Sequence, residues 1–139
     1  MSKKVMQKIV SIEKPTELSA EKVELAIADD IQRVTNALNS QISIDERVLK
    51  KSVKYYSDLV NNIPNAKQQI KTNRNVVKAT DGKINIAENT LKEAKRAADD
   101  LGVNPKSIDG YNELEQLIDK VQKSQKNVDE ISDRLQRLF

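Results

Sequence analysis

Four basic residues, Lys67, Lys71, Arg74 and Lys78, recur at spacings of four, three and four. On an α-helix this spacing places them on one face. A row of that kind can follow phosphates along a nucleic acid, or pair with carboxylates on a neighbouring helix. Arg47, Lys50, Lys51 and Lys54 add positive charge just upstream. Acids stand on both sides of this block in sequence: Glu21, Glu24, Asp29 and Asp30 before it, and Glu113, Glu115 and Asp119 after it. Pairing with acids, within the chain or between subunits, is therefore the favoured expectation, and phosphate binding by the four residues is the alternative.

Catalytic chemistry has little to build on. The 139 residues include no histidine, no cysteine and only three glycines. Lack of histidine removes the commonest general base and transition-metal ligand. Lack of cysteine removes disulfides, thiolate nucleophiles and cysteine metal sites. The glycines are too far apart for a phosphate-cradling loop. Asp29 and Asp30 are adjacent, so on a helix they point in different directions and make a poor Mg²⁺ site. Tyr55-Tyr56 could stack on bases, but such a pair more often anchors packing with its hydroxyls in water. The expectation is a protein that is not an enzyme and needs no cofactor or metal.

The elements that must position these residues are helical. From Ile63 to Leu101 a seam alternates three and four residues: Ile63, Ala66, Ile70, Asn73, Val77, Thr80, Ile84, Ala87, Leu91, Ala94, Ala98, Leu101. This is the pattern of a coiled-coil helix. A second seam answers it: Leu114, Leu117, Val121, Ser124, Val128, Ile131, Leu135, Leu138. Between them Gly102-Val103-Asn104-Pro105 stops the first helix, with Gly102 as its left-handed cap. Ser107 or Asp109 is expected to cap the next. Ala87, Ala94 and Ala98 let a partner helix approach closely. Asn73 and Thr80 interrupt the first seam. A buried Asn can fix register and partner number, but Gln69, Arg74 and Asn75 make this half of the helix polar, so partial exposure is expected.

Asp81-Gly82 is ambiguous, because Asp-Gly between alternating apolar residues also signals a β-hairpin. The seam keeps its phase through the dipeptide, which favours a continuous helix.

Upstream, Val23, Ile27, Ile31, Val34, Leu38 and Ile42 mark one helix. Asn39-Ser40-Gln41-Ile42 is read as its end, and Ser43 to Glu46 as a capping box for a second. That second helix shows Leu49, Val53, Tyr56 and Val60, widened by Val48, Tyr55 and Leu59, so it is expected to pack on two neighbours. Asn61-Asn62-Ile63-Pro64 separates it from the long seam. Residues 1–18 form a basic arm, and residues 19–139 the helical domain.

The expected fold is all-α: an elongated helical bundle with an antiparallel coiled-coil hairpin, about 65–101 and 111–139, plus two shorter N-terminal helices. Its expected contact residues are Ile70, Val77, Ile84, Leu91, Leu117, Val121, Val128, Ile131 and Leu135. No apolar run reaches the roughly 18 residues of a membrane helix, and the early lysines are not followed by a signal-peptide core. The function this implies is structural: helix–helix contacts within a larger particle or complex, such as a virion, or within a homo-oligomer. A nucleic-acid-binding protein using residues 47–83, which carry nine basic and two acidic side chains, is one alternative. A helical chaperone or adaptor is another. The expected setting is the cytoplasm or a large particle, with protein partners and no membrane.

Overall fold

A computed structural model describes residues 17–139. Three α-helices, α1 (Glu17–Ser57), α2 (Leu59–Leu101) and α3 (Tyr111–Arg137), pack against one another. A 3-10 turn at Pro105–Ser107 lies between α2 and α3, and no strand occurs among the described residues. Residues 1–16 of the expected arm lie outside them, whereas Glu17 and Leu18 belong to α1.

Contacts between side chains fix the directions. Gln41 and Asp45 meet Thr80, and Ser52 meets Asn73. Numbers therefore rise along α1 as they fall along α2. Asp81 meets Gln125, and Asn73 meets Ser132, so α2 and α3 also oppose. Hence α1 and α3 run the same way, with Ile31 beside Gly110 at one end.

The two shorter N-terminal helices are one helix of 41 residues. Its inner face runs Ile31, Val34, Leu38, Gln41, Asp45, Val48, Ser52, Tyr55, an unbroken alternation of three and four, all buried or half-buried. Asn39-Ser40-Gln41-Ile42 contains neither Gly nor Pro, and tertiary packing overrides its weak propensity. Ser43 does not open a helix; its hydroxyl donates back to the Asn39 carbonyl at 3.3 Å. The chain reverses at Asp58 instead of at 61–64, and Pro64 stands inside α2. So near a helix start a proline deletes a single backbone bond.

Asp81 and Gly82 lie in the interior of α2. Gly102 ends that helix at φ 74°. The Gly102 amide donates to Asp99 and the Val103 amide to Ala98, a Schellman arrangement, and Val103 packs on the core. Neither Ser107 nor Asp109 is the N-cap of α3; Gly110 is, at φ 85°. Asn104 instead accepts from the Lys106 amide at the start of the 3-10 turn.

The glycines separate two kinds of constraint. At Gly82 an added Cβ meets nothing within 4 Å, so Gly82→Ala should stabilise by about 0.5–1 kcal/mol through helix propensity. At Gly110 an added Cβ falls 3.0 Å from Ile31 Cγ2 in a left-handed backbone. Gly110→Ala should then cost about 1–2 kcal/mol. Urea midpoints measure both, and a destabilised Gly82→Ala protein would contradict the continuous helix.

Candidate functional site

The nine expected contact residues take two places in the bundle. Ile70, Ile84, Val121, Val128, Ile131 and Leu135 are buried, and Val77, Leu91 and Leu117 are half-buried. Ala87, Ala94 and Ala98 are buried in the main apolar cluster with Ile31, Leu38, Tyr111 and Leu114. A smaller cluster of Ala66, Ile70 and Leu135, with Tyr55 against it, fills the opposite end.

Polar side chains occupy the space between. Asn73 is wholly buried, at 0% exposure, contrary to the expectation of a partly exposed seam. Its Nδ2 donates to Ser52 Oγ on α1 at 2.7 Å and to Ser132 Oγ on α3 at 3.0 Å. Each serine hydroxyl donates in turn to the carbonyl four residues back, Val48 or Val128. Gln69 Nε2 donates to Asn73 Oδ1 at 2.9 Å. Both amide hydrogens and the amide oxygen are thus used, and one side chain ties three helices together.

A second polar level lies two turns away. Asp45 and Thr80 are buried, with Gln41 donating to both. The Thr80 hydroxyl has one proton and two acceptors in reach, the Asp45 carboxylate at 3.0 Å and the Val76 carbonyl at 2.8 Å. Burial raises the Asp45 pKa, the bonds from Gln41 and Thr80 pull it back, and nearby Glu46 adds to the rise. At the same level Gln125 Nε2 donates to the Val77 carbonyl and to Asp81. Sequence reasoning missed Gln41, Asp45, Ser52 and Ser132 as interior residues. Their one signal was phase: each falls on the seam spacing of its helix or one residue beside it.

The basic stripe divides. Arg74 spans two carboxylates of α3, Nη1 to Asp129 and Nη2 to Asp133, both at 2.9 Å. These are not the acids expected from sequence. Lys67 Nζ lies 5.2 Å from the centre of the Phe139 ring. Among the described residues no carboxylate pairs with Lys67, Lys71 or Lys78. Asp29 and Asp30 are exposed, Asp30 is paired with Arg33, and no group of acids among the described residues could hold a metal ion.

The level of Asp45, Thr80 and Gln125 also divides charge. On one side, residues 47–78 and 126–139 hold eleven basic and four acidic residues, a net of +7. On the other, residues 17–46 and 79–125 hold nine basic and sixteen acidic residues, a net of −7. Several large apolar side chains stay exposed, among them Leu25 at 65%, Val53 at 49% and Tyr56 at 43%. No helix among the described residues is long and apolar enough to cross a membrane.

The chain matches no family model, no curated protein and no solved structure.

The two polar levels respond differently to substitution. Asn73→Asp places an acceptor-only charge among the three helices and should cost about 3 kcal/mol or more at neutral pH, recovering as acid protonates it. Asn73→Leu removes the polar group and should cost far less. Equal losses in urea melts would contradict the network.

Asp45 adds a pH dependence. Its folded pKa is raised, so the folded state holds the proton more tightly than the unfolded chain does. Its contribution is full below the ordinary value of 3.8 and is lost as pH rises through the folded value. Wild type should therefore lose stability relative to Asp45→Asn on going from acid to neutral pH. A gap between the two that is flat with pH would show the carboxyl to be unperturbed.

Proposed function

We propose that this chain is a non-enzymatic structural or assembly protein. It acts through helix–helix contacts within a larger particle or complex, such as a virion, and the α2–α3 seam is read as an antiparallel coiled coil. The observation that carries this reading is the outer face of α1. Leu25, Val53 and Tyr56 are exposed there, although the interior of the bundle is already satisfied by its own three helices. Large apolar residues left out of a closed core suit contact with another surface. Val53 and Tyr56 belong to the widened stripe from which the sequence suggests packing on two neighbours.

A second reading, nucleic-acid binding, is favoured by one observation. Three of the four stripe residues, Lys67, Lys71 and Lys78, have no paired carboxylate among the described residues, and they lie in the basic half. Against it, Arg74 is committed to Asp129 and Asp133, and the exposed ring of Phe139 lies against Lys67.

Titration with duplex DNA and single-stranded RNA across a range of salt separates the two. Wild type should bind neither tightly. Replacing Lys67, Lys71, Arg74 and Lys78 by Gln should lower stability only by about 0.2–1 kcal/mol for each ion pair lost, since exposed pairs are weak. Tight binding that falls steeply with salt and is lost in the quadruple variant would overturn the assembly reading, because each phosphate contact releases a counterion.

A further inference from the structure

We propose that the occupant of the outer face of α1 is α1 of a second copy, lying antiparallel across a two-fold axis near Asn39. This rests on the assembly reading and names its partner. Relative to the inner face of α1, Leu25 follows the seam position Glu24 by one residue, and Val53 follows Ser52 by one. Leu25 and Val53 are thus equivalent outer positions, 28 residues apart, or about 42 Å along the helix at 1.5 Å per residue. Ala28 and Tyr56 are equivalent in the same way, four residues after the same two seam residues. Leu25 and the Val53–Tyr56 pair therefore lie on one side of one helix and stay exposed, whereas Ala28 packs on the apolar cluster.

Their charged borders are opposite. Glu21, Lys22 and Asp29 stand beside Leu25, a net of −1, and Lys50 and Lys54 stand beside Val53, a net of +2. All five are exposed. The ends of the bundle as a whole carry the same opposition. A parallel pairing would set Leu25 on Leu25 and acids on acids. The antiparallel pairing sets Leu25 on Val53 and Asp29 opposite Lys50, and does so twice. Between the patches the same stripe carries Gln32, Asn39 and Glu46. The antiparallel pairing sets Glu46 opposite Gln32, so no like charges of this stripe meet near the axis. A self-complementary patch of this kind closes as a two-fold dimer instead of growing into a fibre.

The chain has no cysteine, so introduced thiols report cleanly. Leu25→Cys protein mixed with Val53→Cys protein should form a mixed disulfide under mild oxidation, and neither alone should crosslink efficiently. Sedimentation should give a dimer mass for the unmodified chain. Asp29→Lys should weaken dimerisation on the order of tenfold, because like charges then face each other twice. Adding Lys50→Asp to Asp29→Lys should restore it, a rescue that a merely misfolded variant would not show.

Crosslinks dominated by 25–25 or 53–53 pairs would overturn the pairing. So would a monomer mass at all concentrations, or failure of the double charge reversal to restore the dimer. Those outcomes leave the assembly reading standing with another partner, whereas the nucleic-acid titration bears on that reading alone.

Discussion

The bundle depends on one hydrogen-bonded side chain. Asn73 reaches α1 and α3 at once, and its two partners pass their own protons to backbone carbonyls within their helices. An apolar seam of Ile, Leu, Val and Ala can slide by a heptad and still bury much the same area. An amide that needs two hydroxyls at one height cannot. Buried polar groups contribute little net stability, but they penalise any arrangement that leaves them unpaired. Asn73 therefore fixes register more than it adds stability.

Other interactions agree with that register. Arg74, next in sequence, grips Asp129 and Asp133 one turn apart on α3. The pair is solvent-exposed, so its contribution is small, but its fork has only one good position along α3. Asp45 and Thr80 repeat the polar contact between α1 and α2 two turns further on. The main apolar cluster sits beyond them, where Ala87, Ala94 and Ala98 allow close helix approach. Stability comes mainly from that cluster, while the polar levels select which pairing of the helices it stabilises.

The same residues explain what could be read from sequence. The seam of α2 was legible because ten of its twelve positions are apolar, and its phase carried the reading safely through Asp81-Gly82. The Gly102 stop was legible because left-handed backbone calls for glycine. The unity of α1 was not. Gln41, Asp45 and Ser52 occupy its inner face, so a search for apolar residues left the true phase at Ile42 and resumed on Leu49, Val53 and Tyr56. In sequence that interruption reads as a helix end. Of those last residues, Val53 and Tyr56 lie on the outer side of the same helix, while Leu49 is half-buried. Burial of Asn73 was missed for the converse reason, since polar neighbours in sequence say little about neighbours in space. The partners of Arg74 were missed because a helix presents only one residue in three or four to a given neighbour, which sequence proximity does not reveal.

The charge pattern acquires meaning only through the fold. Along the chain it alternates: net −4 over 19–46, +7 over 47–83 and −2 over 84–139. Two helices of opposite direction bring the basic end of α1 beside the basic start of α2, at the end where Arg134 and Arg137 close α3. Folding thereby concentrates like charge at each end, which works against the isolated bundle through self-repulsion. Within one chain that repulsion is offset only locally, as at Arg74. An antiparallel neighbour offsets it along the whole length, because each basic end then lies beside an acidic one. The long α1, with acids at its start and bases at its end on the face the bundle leaves open, is the element through which such a neighbour would be recognised.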